Sequence, residues 1–339
     1  MPYCQKSRKF HPGTLLRPLI FSTILLHAQA SFAERPEYQH GISLLHELKY
    51  PRDFKHFEYA NPDAPKGGEL KLATTNYIQN FGGVPGTGVP NAQGIGRTVD
   101  RLLVRTADEL SGLYGQLVSG IALSEDHRAV YLRLHEKARW HDGVPLTTRD
   151  VKFSYEDLLT RVFGKVYLAT WIDSMEIVND KELIVHHRDV FTNSNLVALT
   201  WFPIRPAHYY EDKDPGAPTL TPPVGSGPYR VIKFDKGYVR YERVKDYWGK
   251  DIPVNQGRYN FDIIHYDVYR DATVAREAFR KGLFDIYFET DIRHWESSYN
   301  VPALEQGLII KEIRSLEKFI GQQTAIVLNL DLERLRDVR

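Results

Sequence analysis

The stretch that most constrains this chain is residues 130–159, VYLRLHEKARWHDGVPLTTRDVKFSYEDLL. Val130, Leu132 and Leu134 alternate with Tyr131, Arg133 and His135, the period of two expected of a strand with one buried face. Trp140-His141-Asp142-Gly143 follows, and Asp-Gly is a favoured hairpin turn pair. Pro145 and Thr147 then lead into a helix. Thr147 or Thr148 can serve as N-cap, Asp150 places a carboxylate in the first turn, and Val151, Tyr155, Leu158 and Leu159 form an apolar stripe. Taken singly, Trp140 reads as a packing anchor, Asp142 and Gly143 as a turn, and Asp150 as a cap; structural roles outweigh ligand contact for such residues.

Residues 1–33 contain no acidic side chain. Lys6, Arg8, Lys9 and Arg17 come before or at the edge of an apolar run at 18–26, and Ala28-Gln29-Ala30 and Ser31-Phe32-Ala33 follow it. That is the layout of a secretory signal peptide, with cleavage expected near Ala30 or Ala33. The apolar run falls far short of the roughly 20 residues that span a bilayer, which leaves a retained anchor as the weaker alternative. Cys4 precedes the run, the wrong side for a lipoprotein anchor. A periplasmic, soluble product is expected.

Cleavage takes Lys plus Arg from 44 to 40 against 43 Asp plus Glu, and net charge from +1 to −3. Nothing in that balance calls for nucleic acid or another polyanion as partner. The single cysteine leaves with the leader, so no disulfide is needed in an oxidising compartment. The roughly 300 remaining residues suffice for two domains. The 20 Tyr, 16 Phe and 5 Trp suit a ligand cleft and an ordinary core equally.

Residues 40–68 read as a loop ending in the turn-rich Asn61-Pro62-Asp63-Ala64-Pro65-Lys66-Gly67-Gly68, and 69–74 alternate as a strand. Residues 80–90, NFGGVPGTGVP, carry enough glycine to bring backbone close to a ligand. Their order fits neither G-x-G-x-x-G nor G-x-x-x-x-G-K-[ST], and a plain surface loop is the alternative. Ile95, Val99, Leu102 and Leu103 form a helix-like stripe. Asn179 and Asp180 turn a hairpin between 176–178 and 183–185. A strand starting at Tyr229 is expected to pair with 239–244, 263–269 to form another strand, and 272–281 a helix closed by Gly282.

For chemistry, Ser226, His208 and Asp214 are the nearest candidates for a secreted hydrolase. Ser226 lies between Gly225 and Gly227, which is not the G-x-S-x-G elbow, and none of the three sits in a catalytic motif. His186 and His187 are neighbours on a strand and point to opposite faces. His135 and His141 lack a partner at zinc spacing. No metal and no cofactor are expected.

Residues 136–155 resemble the signature of family 5 of the extracellular solute-binding proteins, which serve peptide, dipeptide and nickel ABC importers. The pattern W-x-D-G-x-P-x-T-x-x-D-V-x-F-S stands here as Trp140, Asp142, Gly143, Pro145, Thr147, Asp150, Val151, Phe153 and Ser154. Gly225-Ser226-Gly227-Pro228-Tyr229 resembles the family's G-S/T-G-P-Y, Asp246-Tyr247-Trp248 its Y-W motif, and 201–210 its L-P-x-x-P-x-H stretch. The wording of 49–70, KYPRDFKHFEYANPDAPKGGEL, resembles the opening of the Yej-type oligopeptide-binding subgroup, as does 253–271.

The resemblance implies an α/β, periplasmic binding protein-like fold of type II, cluster C, with two lobes and an extra small domain. The divisions implied are a signal peptide at 1–33, lobe I at 34–80 and 176–270, the small domain at 81–175, and a truncated lobe II at 271–339 entered by a strand at 283–286. It implies a monomer that is not an enzyme. An oligopeptide ligand would be held by its main chain and passed unchanged to an inner-membrane ABC permease complex. By family position Gly86, Thr87 and Gly88 line the cleft, and Tyr167 and Trp171 bring aromatic rings to it; core packing is the alternative for the last two. The groups receiving peptide termini would lie past residue 339, where the family pattern continues. The chain is therefore expected to be a truncated reading frame that supports no import alone. A non-functional remnant, a secreted hydrolase and a carbohydrate- or partner-binding module are the competing readings.

Overall fold

In the computed structural model, which describes residues 37–82, 89–158 and 172–312, a parallel strand pair joins two segments far apart in sequence. The strands are β1 Gly41–Ile42, β2 Glu69–Thr74, β3 Leu103–Arg105, β4 Leu113–Gly115, β5 Val118–Leu123 and β6 Ala129–Leu134. They continue as β7 Ser174–Ile177, β8 Glu182–His186, β9 Tyr229–Asp235, β10 Tyr238–Arg243 and β11 Ile263–Val268. Among the described residues the α-helices are α1 Thr148–Lys152, α2 Asn193–Trp201, α3 Ala272–Arg280, α4 Ile292–Ser297 and α5 Pro302–Glu305. No helix among them is long and apolar enough to cross a membrane.

Three mixed or antiparallel sheets result, ordered β1-β4-β3, β2-β11-β10-β9 and β5-β6-β8-β7. β11 runs parallel to β2, from Ile263 opposite Glu69 to Val268 opposite Thr74. A parallel pair cannot be closed by a hairpin, and the crossover here is everything from 75 to 262, including the β5-β6-β8-β7 sheet and strands β3 and β4.

The opening stretch folds as its periodicity predicts. Val130, Leu132 and Leu134 of β6 are buried, and β6 is flanked by β5 and β8, with Leu132 opposite Leu183 and Val130 opposite Val185. After the turn, Thr147 caps α1 in a reciprocal capping box with Asp150. Five residues later the helix widens into a π-helical turn, Phe153–Leu158. Leu132, Trp140, Val151, Tyr155, Leu183 and Leu196 share one buried cluster. A second cluster, with Phe81, Tyr229, Tyr241 and Tyr266, backs the β2-β11-β10-β9 sheet. A third, aromatic one gathers the loop at 40–68 around Tyr50, Phe57 and Tyr114, whose rings lie 5.1–5.6 Å apart.

Three expectations change. The stripe at Ile95, Val99, Leu102 and Leu103 is not an α-helix: a 3-10 turn, Ile95–Thr98, gives way at Val99 to extended backbone and β3. The reason is competition for a carbonyl. Thr98 O accepts from both Ser226 N and Gly227 N at 3.0 and 2.9 Å, so it cannot serve a following helical turn. Residues 283–286 form no strand; they touch β2 once, where Asp285 N donates to Lys71 O and Lys71 N donates to Asp285 Oδ2. The boundary expected between 175 and 176 falls inside β7. β7 and β8 hydrogen-bond into the β5-β6 sheet rather than that of β9–β11, where Leu183 and Val185 of β8 lie beside Leu132 and Val130 of β6 and extend the same buried face.

Candidate functional site

Two junctions in the fold hold the segments that the sequence singles out. The first is at Asn80, just before the glycine-rich loop. Asn80 is 1% exposed. Its Oδ1 accepts from Gly82 N at 2.8 Å and Thr219 N at 2.9 Å, and its Nδ2 donates to Asn91 Oδ1 at 3.0 Å. Its carbonyl accepts from Ala92 N at 2.7 Å. One side chain thus ties both flanks of the loop to the 217–221 segment, with its oxygen accepting twice and its nitrogen donating once. Past the loop, Gly94 has φ +87° and packs so closely that a Cβ would lie 2.7 Å from Tyr266, and Tyr241 donates to Gln93 O at 2.8 Å.

The second junction brings together segments separated by up to 148 residues in sequence. Gly225 and Gly227 lie against the 97–99 backbone, where a Cβ on either would meet main-chain atoms at 2.1 and 2.6 Å. His141 N donates to Gly225 O at 2.7 Å, and His141 Nε2 to Gly227 O at 2.8 Å. Ser226 Oγ accepts from Asp100 N at 3.0 Å. The Asp100 carboxylate accepts from Tyr247 OH at 2.6 Å and Trp248 Nε1 at 2.9 Å. Asp100 is fully buried, and that burial outweighs the lowering effect of its hydrogen bonds and pushes its pKa up to about 6. Burial also lowers the His141 pKa, so this imidazole is held as a neutral hydrogen-bonding group.

The remaining motif residues are placed as follows. Trp140 is 1% exposed, with its Nε1 3.4 Å from Asp150 Oδ2. Asp150, buried, accepts from Thr147 N and from Ala207 N, both at 2.8 Å. Asp142, Gly143 and Pro145 are exposed on the turn; Gly143 has φ +90°, and Asp142 Oδ2 meets His208 Nε2 at 2.9 Å. Pro228 is buried, and Tyr229 donates to Phe261 O at 2.8 Å. The expected ligand contacts Gly86, Thr87, Gly88, Tyr167 and Trp171 all lie outside the described residues.

The hydrolase candidates do not assemble. Ser226 is 0% exposed and engaged with Asp100, His208 faces Asp142, and Asp214 accepts from Gly216 N at 2.9 Å. His187 packs edge-on against Phe191, and burial drives its pKa down to about 4. Among the described residues no group of three or more His, Cys, Asp or Glu is placed to hold a metal. Sequence reasoning missed Asn80 and Asp100. The available signals were weak: an Asx residue preceding a glycine loop, and a lone acid entering the apolar 99–104 segment.

Comparison with known proteins reports on the same chain. The family described as "Bacterial extracellular solute-binding proteins, family 5 Middle" matches residues 112–339. The "Probable peptide-binding protein YejA" of Agrobacterium fabrum is 34% identical over 333 residues, 95% of this chain and 54% of that protein. The "Uncharacterized protein YejA" of Escherichia coli is 34% identical over 285 residues, 83% of this chain and 46% of that protein. The chain spans about half the length of these relatives. In fold, it is similar to the oligopeptide-binding protein AppA of Bacillus subtilis, solved with a nonapeptide. The TM-score is 0.56 at 20% identity, over 70% of this chain and 47% of that one.

Proposed function

Because the chain belongs to the family 5 extracellular solute-binding proteins, alongside Yej-type members, we propose that it is the peptide-capturing component of an ABC importer. It works outside the inner membrane, after removal of residues 1–33. It holds an oligopeptide through backbone contacts and delivers it chemically unchanged to a permease. The observation that carries this reading is the 34% identity across 95% of the chain to a protein named as a probable peptide-binding protein. Two lobes that close on a ligand are the mechanism that fits this family. The 229–268 sheet belongs to the first lobe, the β5–β8 sheet to the small domain, and 271–312 to the start of the second.

The site supports the reading in two ways. The two flanks of the glycine-rich segment are held through Asn80, by Gly82 N and Thr219 N to its Oδ1 and by its Nδ2 to Asn91 Oδ1. The motifs around Asp100 are consumed in joining segments, and their serine is buried. That disfavours hydrolysis, since a nucleophile must be reachable by substrate.

The test is calorimetry with a pool of short peptides, on residues 34–339 and on a form carried to the length of its relatives, followed by mass spectrometry of the bound fraction. Intact peptide on the longer form is the expected result. Cleaved peptide, or no peptide on either form, overturns the reading.

A further inference from the structure

A cavity of 430 Å3 lies between the 96–105 segment and Arg258, and its lining contains Arg97, Arg101, Arg105 and Arg258 but no acidic residue. Over the whole chain 44 basic residues are balanced by 43 acidic ones, so four cations converging without an acid is a local segregation of charge. Their side-chain hydrogen bonds among the described residues all go to neutral oxygens. Arg101 Nη1 donates to Thr200 O at 3.1 Å and Arg105 Nη2 to Leu110 O at 3.1 Å. Arg97 Nη2 reaches Tyr266 OH only at 3.4 Å, and Arg258 Nη1 reaches Val254 O at 3.3 Å. Each guanidinium has five N–H donors, so most of this capacity faces the cavity or solvent.

The acid nearest in sequence is turned away. Asp100 spends its carboxylate on Tyr247 and Trp248 and does not line the cavity. Gln116 Oε1 is likewise occupied by Arg101 N at 3.1 Å. An adjoining cavity shares Pro228, Arg258 and Tyr259 and adds four cations, Lys66, Arg243, Lys245 and Lys250, with one acid, Asp251; Arg243 pairs with Asp262. Burial and the nearby Arg243 lower the Lys66 pKa, which agrees with a positive potential along this side. Exposed arginines are ordinarily just solvated. Here four of them surround one concave space, where mutual repulsion is relieved by an anion that accepts paired N–H donors.

We propose that this cavity binds a small ligand carrying several oxyanion groups, carboxylate or phosphate, either free in solution or as the acidic side chains of a peptide. This goes beyond peptide capture in general, because it names a charged recognition site separate from the glycine-rich loop.

The experiment titrates the purified chain by calorimetry with citrate, pyrophosphate, Glu-Glu-Glu and Ala-Ala-Ala. Saturable binding of at least one anion, with none of Ala-Ala-Ala at this site, is expected. The double variant Arg97→Gln/Arg258→Gln should weaken it by about tenfold or more, and Arg97→Lys/Arg258→Lys by less. Citrate or pyrophosphate alone assigns the site to a free anion, and Glu-Glu-Glu with the same arginine dependence assigns it to acidic peptides. Absence of binding by all three anions, or equal binding by the Gln variant, overturns the proposal. Unchanged thermal unfolding of the variants shows that lost binding is not lost folding. Failure of Ala-Ala-Ala to bind anywhere bears on peptide capture and leaves this proposal to the anions.

Discussion

Tyr247 donates a 2.6 Å hydrogen bond to the carboxylate of Asp100, and both side chains are buried. With Trp248 Nε1 and the main chain of Ser226 in the same knot, this contact couples the Gly-Ser-Gly-Pro-Tyr turn to two segments remote from it in sequence. Its strength depends on pH. The Asp100 pKa of about 6 stands above the roughly 3.9 of an unfolded aspartate, so the folded state favours the protonated acid. The stability this group supplies is fully present below about pH 4 and is lost as pH rises through about 6, a change of about 3 kcal/mol. Denaturant unfolding of the parent chain and of Asp100→Asn at pH 4 and pH 7.5 reads it directly. The variant should gain on its parent by roughly that amount across the interval. Parallel pH dependence in the two proteins would remove Asp100 as a buried, raised acid.

Gly227→Ala tests the close approach at the same junction. A Cβ there would lie 2.6 Å from Val99 N and 2.7 Å from Arg97 O, main-chain atoms that cannot swing aside. Overpacking against backbone should cost about 3 kcal/mol or more, measured by urea unfolding. A loss under about 0.5 kcal/mol would mean the two segments separate easily.

Trp140 and Asp142 are two positions apart and should respond very differently. Trp140→Ala empties a buried site in the largest apolar cluster and should cost about 3–5 kcal/mol. Asp142→Asn weakens only a half-exposed contact with His208 and should cost about 1 kcal/mol or less. Thermal melts of both variants compare them; equal losses would contradict the difference in burial.

Asn80→Ala unties the base of the glycine-rich loop. It leaves Gly82 N and Thr219 N without their acceptor, and each orphaned donor costs about 1–3 kcal/mol. If the loop contacts peptide, affinity should fall further than stability alone explains. Calorimetry at a temperature where the variant is fully folded separates the two effects. Undiminished affinity would detach this loop from peptide binding.

Much of this fold is legible in local periodicity. The 130–158 unit, the hairpin at β9 and β10, and α3 with Gly282 at φ +72° follow from alternation, caps and turn pairs acting over a few residues. Failures occur where a distant partner decides. The 95–103 stripe looks helical until Ser226 and Gly227 take the Thr98 carbonyl, and 283–286 looks like a strand although only Asp285 reaches β2. Hairpin β7–β8 is readable as a hairpin, but its sheet is set by the pairing of β8 with β6. The arginine cavity was hidden for the same reason, since Arg258 is remote in sequence from the other three. Family position supplied Gly86, Thr87, Gly88, Tyr167 and Trp171 as ligand contacts, and these lie outside the described residues.

The parallel pairing of β2 with β11 also sets a timetable for synthesis. β2 leaves the ribosome with no neighbour on its β11 side, and Ile263 is not made until everything between 75 and 262 has been added. At typical elongation rates that interval is about 10 to 40 seconds. The intervening sheets can form while Leu70 and Leu72 wait uncovered. The nascent chain therefore carries one unpaired strand through most of its translation, and a holdase that shields 69–74 would protect it over that interval.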